Sequence, residues 1–217
     1  MCEKFPQIVR DIADAGHEIA SHGHEHSRVW TFGRKQYRMD VEGTRKRLED
    51  VSGTPVAGYR APSFSIGKET LWAYDVLAEA GYRYSSSVFP IHHDHYGLPN
   101  APRFPFRSSA DGLLEIPMSS VSLLGSNWPC SGGGYFRLLP LRYSVWAIKS
   151  INEKEQLPAV FYFHPWELDP DQPRVDGISV KARFRHYLNL DKFKDRLTQM
   201  LRRFSWNRMD RIFLEQS

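Results

Sequence analysis

Three histidines fall within five consecutive residues, His22-Gly23-His24-Glu25-His26, one residue after the apolar pair Ile19-Ala20. Neutral imidazole is the commonest protein ligand for a borderline ion such as zinc. His22 and His26 are four residues apart, so both rings can reach one ion if the backbone between them turns like a helix. The cluster therefore indicates a metal-dependent hydrolase. An ordinary surface loop is the alternative, because short HxxxH patterns also arise by chance.

Two further polar side chains follow predicted strands. Arg60 lies in Tyr59-Arg60-Ala61-Pro62, and His164 follows the apolar run 159–163, which we predict as a buried strand. The carboxyl ends of parallel strands share one rim, where active sites of such folds lie. An ion there would polarise a carbonyl and its water, an arginine could orient a carboxylate base, and an imidazole could protonate a leaving amine. Taken singly, the simpler interpretations are that Arg60 pairs with a surface carboxylate and that His164 is a capped core histidine at a strand end.

The elements that must position these residues alternate along the chain. Apolar spacing predicts helices over 5–13, 36–51 and 68–80; each ends near a glycine, and strands follow at 17–21, 56–60 and 82–86. This alternation predicts an α/β fold with parallel strands. Pro, Gly, His and Asn interrupt residues 89–135, which we interpret as a long irregular insertion with short strands at 114–118 and 121–124. Two later helices are predicted at 141–152 and 191–204.

Composition excludes several classes of protein. The 217 residues carry 29 basic and 25 acidic side chains without a basic block, so no nucleic-acid partner is expected. Cys2 and Cys130 form no CxxC pair, which disfavours a disulfide framework or a thiolate zinc site. No segment has the roughly 20 apolar residues of a transmembrane helix, and no signal peptide is recognised. We therefore expect a cytoplasmic protein without a transmembrane segment.

Several sequence phrases together resemble a known family. Gly16 to His26, Tyr59-Arg60-Ala61-Pro62-Ser63-Phe64 and Phe163-His164-Pro165 are similar to three successive motifs of the polysaccharide deacetylases with a NodB-like domain. Segments 102–105, 132–137 and 184–187 further resemble the branch encoded in bacterial exopolysaccharide clusters linked to protein sorting (PEP-CTERM). The resemblance implies a distorted (β/α) barrel, N-terminally incomplete, forming a single domain over residues 1–217 with a C-terminal extension from about residue 165.

The resemblance also implies an activity and a set of site residues. It implies a divalent metal ion, usually zinc, and removal of N-acetyl groups from amino sugars of a polysaccharide or its lipid-linked precursor. By this likeness His22 and His26 are metal ligands, Arg60 positions the catalytic base and His164 is the general acid, whereas His24 is a loop residue. The candidate substrate-binding residues are Pro62, Tyr135 and Trp166; the two aromatic rings could stack on sugars or simply pack in the core.

One departure from the family pattern concerns the base. The family begins with a strand ending in two adjacent aspartates, one the base and one a metal ligand, and no such strand precedes His22. We therefore expect a fragment or truncated gene model of an active deacetylase. A catalytically inactive carbohydrate-binding remnant is the main alternative, and deacylation of a small cyclic amide is another. A second cluster, His92-His93-Asp94-His95, could also hold a metal, although a polar loop is the simpler interpretation.

Overall fold

A computed structural model describes residues 2–94, 96–109 and 112–215. The chain divides into two compact units. Unit 1 comprises residues up to 117 together with those from 207 onward, and unit 2 comprises residues 118–206. Unit 2 is thus inserted in sequence between two segments of unit 1.

The helices of unit 1 are set by local sequence signals. They are α1 (Pro6–Asp14), α2 (Arg34–Ser52) and α3 (Trp72–Glu79), with 3₁₀ turns at Val29–Thr31, Pro62–Phe64 and Lys68–Thr70. Proline is tolerated at the start of α1 because the first helical N–H has no partner within the helix. Gly53 ends α2 in the left-handed conformation at φ 66°, and its N–H donates to the carbonyl of Glu49. The three predicted helices are confirmed.

The sheet of unit 1 is mostly parallel. Its strands are β1 (Gly58–Tyr59), β2 (Tyr84–Ser85), β3 (Phe106–Arg107) and β4 (Leu114–Glu115), in the order β1-β2-β4-β3. β2 is parallel to both neighbours, and β3 runs antiparallel to β4. The predicted strand at 17–21 is present only as a parallel bridge between Ser21 and Tyr59. The parallel arrangement of the first three strand segments is therefore confirmed, although each is shorter than predicted.

The core of unit 1 lies between these helices and strands. Tyr37 and Val41 of α2 and Leu77 of α3 are almost completely buried with Tyr59 of β1. Burying such side chains contributes about 1.5–3 kcal/mol each, which holds the strand ends in register.

Unit 2 begins with a hairpin and is otherwise mainly helical. Its elements are β5 (Ser120–Leu123), β6 (Ser126–Pro129), α4 (Gly133–Leu138), α5 (Leu141–Lys154), a 3₁₀ turn at Pro165–Leu168, α6 (Val180–Tyr187) and α7 (Leu190–Arg203). The core joins α4, α5 and α7 through Phe136, Ile148, Phe193, Leu197 and Met200. The two predicted helices in this unit are confirmed, and the predicted insertion contains the β5–β6 hairpin.

The predicted buried strand at 159–163 is wrong. These residues form no strand in the described structure, and only Val160 is buried. The N–H of Val160 donates to the hydroxyl of Ser119 at 2.7 Å. Ala159, Phe161 and Phe163 pack against the core of unit 2, so the apolar run reflects side-chain packing instead of a backbone ladder. Across the described residues, no helix is both long and apolar enough to cross a membrane.

The segment after residue 206 returns to unit 1 and forms α8 (Met209–Phe213). Glu18 accepts a hydrogen bond from the N–H of Asp210 at 3.0 Å and another from the Tyr84 hydroxyl at 2.8 Å. Burial raises the pKa of Glu18, although these hydrogen bonds oppose that effect. The last helix is thereby attached to the residues that precede Ser21.

Candidate functional site

The loop His22–His26 begins where the chain leaves the sheet. Ser21 donates its N–H to the carbonyl of Gly58 and accepts from the N–H of Arg60, both at 2.9 Å. Gly23 at φ 75° and His26 at φ 51° then turn the backbone through left-handed conformations. Because Gly23 has no Cβ, this conformation is unstrained there, whereas it is uncommon for a residue such as His26. The turn brings the two candidate ligands together.

A hydrogen bond of 2.6 Å joins Nδ1 of His22 to the backbone carbonyl oxygen of Arg60. A carbonyl oxygen only accepts, so Nδ1 carries the proton and Nε2 is the unprotonated nitrogen of the neutral ring. Metal-binding histidines are commonly oriented in this way by a carbonyl on the opposite nitrogen. The His26 ring lies edge-on to His22, with 4.9 Å between ring centroids. Both residues are exposed.

Asp40 on α2 holds the backbone of this loop. Its carboxylate accepts from the N–H of His24 at 3.2 Å and from the N–H of Glu25 at 3.3 Å. A Cβ at position 23 would lie 3.1 Å from Oδ2 of Asp40, so glycine allows the close approach. Asp40 therefore acts on the loop through its backbone, and we do not assign it as a metal ligand.

The His24 side chain is engaged elsewhere. Nη1 of Arg47 lies 2.9 Å from Nδ1 of His24, and the same nitrogen lies 3.1 Å from Oε1 of Glu3. Because a guanidinium only donates, Nδ1 of His24 accepts this bond. This arrangement fits the expected role of His24 as a loop residue.

Arg60 ties β1 to the chain beyond β2. Its Nε donates to the carbonyl of Ser86 and its Nη2 to the hydroxyl of Ser86, both at 2.9 Å. The N–H of Ala61 donates to the hydroxyl of Ser87, and the neighbouring Pro62 is buried at the start of a 3₁₀ turn. Pro62 is therefore placed as part of the framework behind Arg60.

A buried carboxylate that sequence reasoning missed organises the same strand end. Glu115 is fully buried, and its Oε1 accepts from the N–H groups of Ser87 and Val88 at 2.7 and 2.8 Å. The Tyr74 hydroxyl donates to Oε2 at 3.2 Å. Burial raises the pKa of Glu115, and its hydrogen bonds partly offset that effect. A single acidic residue before Ile-Pro gave no signal for this role.

In unit 2, His164 begins the 3₁₀ turn Pro165–Leu168. The Glu167 carboxylate reaches back to accept the His164 N–H at 2.8 Å, and the same Oε2 lies 3.6 Å from Nδ1 of the ring. Arg137 of α4 donates from Nε to Oε1 of Glu167 at 2.9 Å, with only 3% and 1% of the two side chains exposed. Burial alone would raise the pKa of Glu167, but the contacts with His164 and Arg137 outweigh it and lower that pKa.

The Trp166 ring stacks on two imidazoles. Its ring lies 5.8 Å from that of His164 at 21° and 4.4 Å from that of His186 at 10°. The Arg137 guanidinium lies 5.4 Å from the same ring. Tyr135, the other aromatic residue predicted to bind substrate, is half-buried on α4. Trp166 therefore has a defined packing role, and its sugar-binding role stays a prediction.

The donor chemistry of the His22–His26 loop fits zinc in part. Two imidazoles, one with an oriented Nδ1–H, are typical ligands, and a tetrahedral site needs further donors. Within residues 2–94, 96–109 and 112–215, no group of three or more His, Cys, Asp or Glu side chains is arranged to hold an ion. In the second predicted cluster, His92-His93-Asp94-His95, the His93 ring stacks on Tyr96. His95 lies outside the described residues.

Asp40, Arg137 and Glu167 also escaped the sequence analysis. Asp40 acts on backbone N–H groups 15 and 16 residues earlier in the chain, so no local pattern marks it. The signal for Glu167 was present, because a carboxylate three residues after a helical cap is the spacing of a capping box.

Two family models match the chain. Residues 86–214 match the family described as Domain of unknown function (DUF3473), and residues 1–85 match the polysaccharide deacetylase family. The first match covers more than half of the chain, so the protein belongs to the DUF3473 family. Over its first 85 residues the chain is similar to the polysaccharide deacetylase family.

Two curated relatives, named as a peptidoglycan deacetylase and a peptidoglycan deacetylase-like protein, match part of the chain. Peptidoglycan deacetylase of Helicobacter pylori is 28% identical over 92 residues, which are 42% of this chain and 30% of that protein. Peptidoglycan deacetylase-like protein FGM2 of Gibberella zeae is 29% identical over 86 residues, covering 40% of this chain and 25% of the relative. The chain thus matches less than a third of the length of either relative.

Two solved structures share the fold. A Mycobacterium smegmatis protein described as a polysaccharide deacetylase matches 92% of this chain and 62% of its own, with a TM-score of 0.56 and 21% identity. Puue allantoinase matches 97% and 62%, with a TM-score of 0.55 and 15% identity. The predicted fold class, a distorted (β/α) barrel of the polysaccharide deacetylase type, is confirmed.

Proposed function

We propose that this protein is a metal-dependent hydrolase that removes N-acetyl groups from amino sugars of a polysaccharide. The observation that carries the proposal is the pairing of the His22 and His26 rings. Nδ1 of His22 donates to the backbone carbonyl of Arg60, which leaves Nε2 available to bind an ion. The polysaccharide deacetylase match over residues 1–85 contains both histidines and Arg60 and supports this assignment.

The proposed chemistry divides among few residues. Bound zinc would supply Lewis-acid polarisation of the acetamide carbonyl. His22 and His26 would hold the ion, and the Arg60 guanidinium would orient the carboxylate base of the family pattern, although no Asp-Asp strand precedes His22 in this sequence. His164 protonates the departing amine nitrogen from Nε2. Proton donation matters because an amine leaves poorly as its anion.

The proposed substrate is an exopolysaccharide rich in N-acetylated amino sugars, or its lipid-linked precursor. The sequence phrases at 102–105, 132–137 and 184–187 support this branch. The two curated relatives are named as peptidoglycan deacetylases or deacetylase-like, so peptidoglycan is the substrate to compare. Acetate release from oligomers of N-acetylglucosamine, but not from peptidoglycan fragments, is the result expected; the reverse preference would overturn the exopolysaccharide assignment.

Zinc titration by calorimetry tests the metal site itself. His22→Ala and His26→Ala should each abolish tight binding, whereas His24→Ala should retain it because that ring is held by Arg47. Unchanged affinity in His22→Ala would overturn the proposed site. With zinc bound, acetate release supports the hydrolase; binding of the oligosaccharide without acetate release would overturn it in favour of a carbohydrate-binding protein.

A further inference from the structure

Glu167 is placed to control which nitrogen of His164 carries a proton. Its Oε2 accepts the His164 backbone N–H at 2.8 Å and lies 3.6 Å from Nδ1 of the same ring. The separation is too long for a strong hydrogen bond but close enough for a charge to matter, because only 1% of the carboxylate side chain is exposed. A lone pair on Nδ1 facing this anion would be repelled, whereas an N–H would be attracted.

The carboxylate cannot readily turn away from the ring. Arg137 donates from Nε to Oε1, and its Nη1 and Nη2 bond to the carbonyls of Arg185, His186 and Leu188 at 2.9–3.1 Å. The backbone of Gly133 packs closely against the Glu167 carboxylate, since a Cβ at this position would collide with it. Trp166 stacks on the His164 ring and limits its rotation.

We propose that Glu167, fixed by Arg137, is a positioning residue that holds neutral His164 as the Nδ1–H tautomer. The inference rests on the proposed role of His164 as general acid. When the amine–carbon bond of the tetrahedral intermediate breaks, the nitrogen takes the electron pair and the Nε2 proton of protonated His164. The ring is then left neutral with Nδ1–H directed at Glu167, which is the tautomer that the carboxylate favours.

His186, which also stacks on Trp166, provides an internal comparison. Its Nε2 lies 2.9 Å from Oε1 of Gln172, and an amide oxygen only accepts, so Nε2 carries the proton. The two histidines stacked on one indole ring are therefore expected to be opposite tautomers. Histidine in water prefers the Nε2–H form, so the Nδ1–H form at His164 is the distinctive expectation.

Long-range ¹⁵N–¹H correlation spectra of the ¹⁵N-labelled protein test this inference at a pH where the imidazoles are neutral. The signals of His164 are assigned by their loss in His164→Ala. Wild type should show Nδ1–H at His164 and Nε2–H at His186. Glu167→Gln should move His164 toward the Nε2–H form and leave His186 unchanged. A predominantly Nε2–H His164 in wild type would overturn the proposal.

In Glu167→Gln the buried Arg137 guanidinium loses its anionic partner, which could unfold the protein, so a second variant is needed. Arg137→Met combined with Glu167→Gln removes both charges, and the same shift of His164 toward Nε2–H is expected. An unchanged Nδ1–H signal in the folded double variant would refute the role of the carboxylate. Because the tautomer is read without substrate or zinc, its failure is distinct from a failure of the proposed hydrolase activity.

Discussion

Arg60 acts on two neighbouring strand ends at once: its backbone carbonyl accepts from Nδ1 of His22, and its guanidinium donates twice to Ser86. The orientation of His22 therefore depends on the main chain at position 60 and not on the side chain. The two proposed functions of this residue, setting the ligand and orienting a base, are separable by mutation.

Arg60→Met should leave zinc affinity essentially unchanged while it removes activity toward an acetylated oligosaccharide. The carbonyl that orients His22 remains, whereas the guanidinium that would orient a base is lost. Calorimetry and acetate release on the same preparation check both halves. A loss of zinc affinity as large as that of His22→Ala would contradict the separation.

Asp40→Ala should weaken zinc binding by about 10–100-fold, the range typical for residues that orient metal ligands. The mutation removes the acceptor of the His24 and Glu25 N–H groups and frees the loop between the two ligands. Glu42→Ala is the matched control, because it removes an exposed carboxylate from the same helix. Equal affinities for the two variants would show that Asp40 does not act through the loop.

Gly133→Ala should lower the free energy of unfolding by about 1–3 kcal/mol, since an added methyl group would overpack the Glu167 carboxylate. Gly134→Ala, one residue later in the same helix, meets nothing within 4 Å and should be neutral or stabilise by up to about 1 kcal/mol. Urea unfolding distinguishes them. Similar stabilities would mean that Glu167 can move aside at little cost.

The fold was more predictable from sequence than the details of the site. Helices such as α2 were predicted correctly because the apolar spacing and the terminal Gly53 that define them lie within or directly after the helix sequence itself. The prediction of a strand at 159–163 was wrong because an apolar run indicates packing against a core but does not show whether another strand lies beside it. Asp40 escaped notice because it bonds to main-chain groups, which every residue type presents. Glu167 lies at capping-box spacing from His164, but its contact with Arg137, 30 residues away, leaves no local pattern.

Glu115→Ala should lower the free energy of unfolding by about 1–3 kcal/mol for each N–H left unsatisfied, those of Ser87 and Val88. Tyr74→Phe removes only the single hydroxyl donor to Oε2 and should cost about 1 kcal/mol. Thermal and urea unfolding of both variants provide the measurement. A Tyr74→Phe loss equal to that of Glu115→Ala would place the main stabilisation at the tyrosine.

Stability should fall in acid in part because of Glu167. Its pKa is lowered in the folded protein, so its carboxylate stabilises the fold fully above the ordinary glutamate pKa of 4.5 and loses that effect as the pH falls through the lower folded value. Glu167→Gln should therefore be less stable than wild type at pH 7, with a difference that narrows toward pH 3. Urea titrations across this range measure it, and a constant difference would exclude linkage to this carboxyl.

The return of residues after 206 to unit 1 has a consequence for synthesis on the ribosome. Oε2 of Glu18 accepts the N–H of Asp210, and 192 residues separate the two, so this bond cannot form until Asp210 has been made. Translation proceeds at about 5–20 residues per second, so roughly ten seconds or more pass before that bond can form. During this interval all residues of unit 2 are made, so unit 2 can fold before α8, the last helix of unit 1, has been synthesised.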